Sequence, residues 1–215
     1  MKCDKAWMLL YAVTDRTWTQ KQSLYEQVEA ALRGGATCIQ LREKEMSDEA
    51  FLEEALAIKS LCQKYQVPFI INDNVKVALA CQADGIHVGQ QDMEALNVRK
   101  LIGEKMLLGV SAQTLEQAIC AEKQGADYLG VGAVFQTTTK ADADYVARDT
   151  LKAICSTVKI PVVAIGGIYK HNIMELEASG VDGVALVSAI FSAENIEEEC
   201  KSLRSLSEKM VADEG

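Results

Sequence analysis

The 215-residue sequence predicts a single-domain (β/α)8 barrel, a TIM barrel, covering residues 1–215. Three observations lead there. Eight short aliphatic runs punctuate the chain, and they are rich in Val, Ile and Leu rather than alternating polar with apolar, as strands buried on both faces are. Segments of helical spacing separate them. A weak repeat, "GGATCI" (34–39), "CQADGI" (81–86), "QGADYL" (124–129) and "SGVDGV" (179–184), precedes each even-numbered strand, about one βαβα unit apart when aligned on Gly35, Gln82, Gly125 and Gly180. Four such units, each with a right-handed crossover, close an eight-stranded parallel barrel. A doubly wound open sheet would not require four similar quarters, and its Gly-x-Gly-x-x-Gly turn after the first strand is missing.

The first strand is "MLLYAVTD" (8–15). The stretch leading into it, "MKCDKAWMLLYAV", has the outline of a secretion signal. It carries Asp4, lacks a small-residue cleavage site and runs on into Thr14-Asp15-Arg16, so it reads as a buried strand. The second strand is "CIQLR" (38–42). The helix after it opens at Ser47-Asp48-Glu49 and stacks Phe51, Ala55, Ile58, Cys62 and Tyr65 on one face. Strands follow at "PFIIND" (68–73), "GIHVG" (85–89), "LLGVSA" (107–112) and "YLGVGAV" (128–134). A long connection from Phe135 to Arg148 precedes a helix starting near Asp149, and loops of that length in compact domains usually act as lids or binding loops. The last two strands are "PVVAIGG" (161–167) and "GVALVSA" (183–189). Pro68 and Pro161 each fall at the first residue of a strand, where a missing N–H matters least.

Composition narrows the function. Apolar residues make up 49% and aromatics only 6%, so the core is built from aliphatics and alanine. A net charge of −9 has the wrong sign for a nucleic-acid or anionic-membrane binder. No run approaches the ~18 apolar residues of a membrane span. Seven cysteines without a CxxC pair suit reduced, small apolar side chains, and the expected location is the cytoplasm.

In such a barrel, chemistry sits at the carboxyl ends of the strands. After strand 2, "QLREK" puts Gln40, Arg42 and Lys44 on one parity, and an inward glutamine flanked by two cations suits an anionic ligand. After strands 3 and 4 stand Asn72-Asp73 and Asp92. Aspartate there is also a common helix cap, but two carboxylates on neighbouring loops can hold a hard cation such as Mg2+. His87, alone in "GIHVG", reads as a hydrogen-bonded core residue. His171 reads as a cap or surface group. Ser111 brings a hydroxyl to the mouth after strand 5. Thr137, Thr138, Thr139 and Lys140 follow strand 6. Gly166, Gly167, Ser188 and Ala189, after strands 7 and 8, are small enough to expose backbone N–H groups to a phosphate. The mouth therefore has two anion sites, which suits one phosphorylated and one diphosphorylated substrate.

These motifs are similar, in order and spacing, to those of the thiamine-phosphate synthase family: "QLREK" (40–44), "IINDN" (70–74), "GIHVGQQD" (85–92), "GVSA" (109–112), "TTTK" (137–140), "AIGGI" (164–168) and "VSAI" (187–190). The resemblance implies a transferase that joins 4-amino-2-methyl-5-(diphosphooxymethyl)pyrimidine to a thiazole phosphate, releasing pyrophosphate. It implies that Gln40, Leu41, Arg42, Glu43, Lys44, Asn72, Ser111 and Lys140 meet the pyrimidine diphosphate. It assigns Asp73 and Asp92 to Mg2+. The thiazole phosphate falls to Thr137, Thr138, Thr139, Gly167, Val187 and Ser188. Lys140, Ser111 and Arg42 are the expected catalytic residues. Gln136 stands where the family commonly has proline, which would loosen the loop without removing a contact. The implied partners are small molecules, without nucleic acid or membrane, and self-association is left open. A thiazole tautomerase on the same barrel would have no use for the metal pair or Lys140. A non-catalytic barrel that binds a phosphorylated metabolite is the alternative of another class.

Overall fold

The structure is a computed structural model, and it describes residues 3–20, 22–90, 95–137 and 145–212. Eight parallel strands close in sequence order, with the last pairing back onto the first. They are β1 (Leu10–Val13), β2 (Cys38–Leu41), β3 (Phe69–Asn72), β4 (Gly85–Val88), β5 (Leu107–Ala112), β6 (Tyr128–Val131), β7 (Val162–Ile165) and β8 (Gly183–Leu186). A ring of helices surrounds them: α1 (Lys5–Met8), α2 (Leu24–Arg33), α3 (Asp48–Tyr65), α4 (Val75–Ala80), α5 (Ala95–Ile102), α6 (Leu115–Lys123), α7 (Arg148–Thr157), α8 (Ser188–Phe191) and α9 (Ile196–Ala212).

Side chains alternate across a strand, so each strand serves two cores. Tyr11, Val13, Cys38, Ile70, Leu107, Tyr128, Val163 and Ala185 fill the inside of the barrel over Met8. Their neighbours Leu10, Ala12, Ile39, Leu41, Ile71, Ile86 and Val88 face outward, onto helix residues such as Val28, Phe51 and Ile58. The helix opened by Ser47 is α3. Ser47 accepts from the Ala50 backbone N–H, and Phe51, Ala55, Ile58 and Cys62 are buried beneath it.

The repeat has a physical basis. Gly35, Gln82, Gly125 and Gly180 all adopt positive φ, at 96°, 53°, 94° and 87°, and each turns the chain out of a helix toward an even strand. Two residues later, a side-chain oxygen accepts a backbone N–H from the preceding odd strand. Thr37 Oγ1 takes Leu10, Asp84 Oδ2 takes Phe69, Asp127 Oδ2 takes Leu108 and Asp182 Oδ2 takes Val162, each at 2.8 Å. Each quarter of the barrel is thus latched at its amino-terminal rim, opposite the mouth.

Three expectations change. The amino-terminal stretch starts with the one-turn α1, capped by Asp4 accepting from Ala6 N–H, so β1 begins at Leu10 rather than Met8. Strands β3 and β7 begin one residue after Pro68 and Pro161. Between β7 and β8 the chain makes a 3-10 turn, Ile173–Leu176, instead of an α-helix. Asn172 closes the preceding loop on itself there, accepting from Tyr169 N–H and donating to the Gly167 carbonyl. Among the described residues no helix is long and apolar enough to cross a membrane. All seven cysteines are free thiols, and Cys38, Cys62, Cys81 and Cys200 are buried.

Candidate active site

A cavity of about 350 Å³ opens at the carboxyl ends of the strands, with walls drawn from all eight. Gln40, Arg42, Lys44, Asn72, Asp73, Ser111, Thr137, Gly167, Val187 and Ser188 all line it. Residues as distant in the chain as Gln40 and Ser188 thus line one cavity because strand ends converge on one rim. Asp92, Thr138, Thr139 and Lys140 lie outside the described residues.

The strand β2 end is held in place by β1. Arg42 N–H donates to Thr14 Oγ1 at 3.0 Å, and the Arg42 guanidinium sits 3.7 Å from the Asp15 carboxylate. Its side chain is 20% exposed, so most of its charge faces protein and cavity rather than bulk water. At the end of β3, Asn72 is nearly buried and Asp73 has a φ of 61°. Asp73 N–H donates to the His87 carbonyl at 2.9 Å, which fixes this left-handed corner against β4. Across the mouth, Gln90 Nε2 donates to the Ser111 carbonyl at 2.6 Å.

After β7, Gly166 and Gly167 have φ of 98° and 67°, conformations that strain any residue with a Cβ. They bring the turn flush with the wall. The one-turn α8 begins at Ser188, and the first N–H groups of any helix lack an intrahelical acceptor. Ser188 Oγ lies 2.7 Å from Tyr169 Oη. Ala189 is buried and stands outside the cavity wall.

Two side chains of the "QLREK" stretch turn away. Leu41 is fully buried in the outer core. Glu43 reaches backward, its Oε2 accepting from Arg16 Nε at 2.8 Å while Arg16 Nη2 reaches Glu54 at 2.5 Å. Neither side chain lines the cavity, because strand alternation gives the inward places to residues 40, 42 and 44. Burial pushes the Glu43 carboxyl up to about 7, with Arg16 opposing and Glu54 adding to the shift. A carboxyl whose folded value lies above its ordinary one gives stability that is present at acid pH and is lost as pH rises through about 7. Melting temperature is therefore expected to fall between about pH 5 and pH 8. Glu43→Gln, which keeps the shape but cannot ionise, is expected to flatten that part of the curve. Equal slopes for the two proteins by calorimetry would contradict this.

The inside of the barrel holds polar groups that the strand-end reading passed over. Gln40 Nε2 donates to Tyr11 Oη at 2.8 Å, and Tyr11 Oη lies 2.7 Å from Tyr128 Oη. His87 Nδ1 stands 3.2 Å from Tyr128 Oη, and His87 Nε2 stands 3.0 Å from Ser111 Oγ. His87 is thus a hydrogen-bonded core residue, and one that touches the mouth. Tyr11 shares the parity of the inward Val13, which is the signal that could have found it. His171 stacks on Tyr169 at 5.7 Å, away from the site.

A family model described as thiamine monophosphate synthase matches residues 10–190. The chain belongs to that family. As a member it is a transferase of thiamine biosynthesis. It is 51% identical over 195 residues to a thiamine-phosphate synthase of Alkaliphilus oremlandii, with 91% of this chain and 93% of the relative covered. A thiamine-phosphate synthase of Clostridium botulinum is 49% identical over 201 residues, 94% of either chain. Among solved structures, a thiamine phosphate pyrophosphorylase from Pyrococcus furiosus superposes with a TM-score of 0.89 at 40% identity, covering 96% of this chain and 98% of that one. At that TM-score the solved relative shares the fold described above.

Proposed function

We propose that this chain is a thiamine-phosphate synthase whose barrel mouth condenses 4-amino-2-methyl-5-(diphosphooxymethyl)pyrimidine with a thiazole phosphate. The observation that carries the reading is the convergence of Arg42, Lys44, Asn72, Asp73 and Ser111 on one wall of the cavity, with Gly167 and Ser188 on another. The first wall suits a diphosphate and the second a monophosphate.

The bond between the pyrimidine methylene and its diphosphate oxygen breaks with both electrons leaving on the oxygen. The electron-rich aminopyrimidine carries the resulting cation until the thiazole nitrogen lone pair forms the new C–N bond. Pyrophosphate and thiamine phosphate account for every atom, and no proton need be removed by a strong base. Such a step depends chiefly on stabilising the departing negative charge. Arg42 and Lys44, with Lys140 from the connection after β6, supply cations for it. Thr137, Thr138 and Thr139 would close over the thiazole, and its phosphate would take N–H groups at Gly167, Val187 and Ser188.

The donors at the β3 end fit Mg2+. A carboxylate and an amide, both hard oxygen donors, border the cavity at Asp73 and Asn72. Mg2+ typically takes one or two protein carboxylates and completes its shell with water and substrate phosphate. Asp73 and Asp92 would hold it, and it would supply charge for the leaving diphosphate. The test is mass spectrometry of the purified protein with both substrates and Mg2+. Thiamine phosphate is expected. Tight ligand binding without product would instead favour a non-catalytic barrel.

A further inference from the structure

We propose that His87 is a positioning residue, which a chain of hydrogen bonds running from the barrel interior to the mouth holds as the neutral Nε2–H tautomer so that Ser111 points its hydroxyl proton into the cavity. The chain spans the barrel through five strands, from Gln40 through Tyr11, Tyr128 and His87 to Ser111. Its direction follows from its first link. The Gln40 amide nitrogen can only donate, so Tyr11 Oη accepts there, and of the two acceptors left for its own proton Tyr128 Oη is stronger than the Cys38 sulfur. Tyr128 then donates to His87 Nδ1, which leaves the ring proton on Nε2. Nε2–H donates to Ser111 Oγ, and the serine proton is left for whatever occupies the mouth.

Two further observations support the arrangement. Both phenols are completely buried, and that burial pushes them well above their ordinary value, so each keeps the proton that the chain needs. Space for the rings is also made on purpose: a Cβ on Gly109 would overlap the Tyr128 ring and approach His87 Nδ1, and one on Gly130 would press on His87 Cε1 at 3.1 Å. These two glycines lie within strands, where glycine otherwise weakens the sheet. The reaction that Ser111 would serve is the one proposed above, and the kinetic half of the test rests on that reading.

The tautomer is read by nitrogen NMR on the wild-type protein at neutral pH, independently of turnover. The chain has two histidines, so His171→Gln identifies the His87 signals. A protonated Nε2 with a bare Nδ1 is expected. A ring protonated on Nδ1, or on both nitrogens, would overturn the proposal. In kinetics, Tyr128→Phe and His87→Phe are expected to lower kcat roughly tenfold with little change in KM, the scale of one hydrogen bond to a charged group. His87→Gln, whose amide can still donate to Ser111, should recover most of that loss. In a Ser111→Ala background, His87→Phe should cost nothing more. A full additional loss there would assign His87 another role. Failure of the wild type to turn over would sink the reaction reading and leave the tautomer result standing.

Discussion

Arg42→Ala is expected to reduce kcat by about two orders of magnitude while the barrel still folds. Removing one preorganised donor from a developing negative charge typically costs about 10²–10³ in rate. Arg42 meets the conditions for an effect of that size. It lines the cavity, is mostly shielded from solvent, and is steered by Asp15 at 3.7 Å and by the Thr14 anchor on its backbone. A guanidinium can meet two diphosphate oxygens at once, and an ammonium cannot, so Arg42→Lys should recover only part of the loss. Little loss of fold is expected, because the group contributes one long ion pair and Asp15 keeps its hydrogen bonds from the Thr17 N–H and hydroxyl. Circular dichroism and a single-turnover assay together check both halves. Wild-type turnover in Arg42→Ala would remove this side chain from the mechanism.

Asp73→Asn is expected to raise the Mg2+ concentration needed for half-maximal activity by about 100-fold or more, since even outer groups around a metal are worth 10–100-fold. The substitution isolates charge from shape. Asp73 sits at a φ of 61°, a region that asparagine tolerates at least as well as aspartate, and its N–H contact to the His87 carbonyl is a backbone bond. The corner at the end of β3 should therefore persist while the anionic ligand is lost. Titrating activity against Mg2+ for the two proteins gives the shift directly. An unchanged Mg2+ dependence would mean that Asp73 is not a metal ligand.

The barrel was legible because its signals are local. Aliphatic runs bounded by Gly, Pro or Asp marked all eight strands, and the four-fold repeat marked the left-handed turns and the Thr37, Asp84, Asp127 and Asp182 latches beneath them. The 3-10 turn at Ile173–Leu176 was less legible, since it depends on Asn172 bonding back to Tyr169 and Gly167 rather than on periodicity. At the site, parity separated inward Gln40 and Arg42 from outward Leu41 and from Glu43, which turns back to Arg16. Parity marks Tyr11 as inward, but no local pattern carried the pairing within the hydrogen-bonded floor. Tyr11 and Tyr128 are 117 positions apart and meet only when the barrel closes.

The most direct measurement is pyrophosphate release by the purified protein given both substrates, followed with Mg2+ present, after EDTA, and after Mg2+ is restored. Stabilisation of the departing diphosphate by a divalent ion and the basic side chains around it predicts release that needs both substrates, stops with EDTA and returns with Mg2+. Release that continues undiminished in EDTA would contradict it.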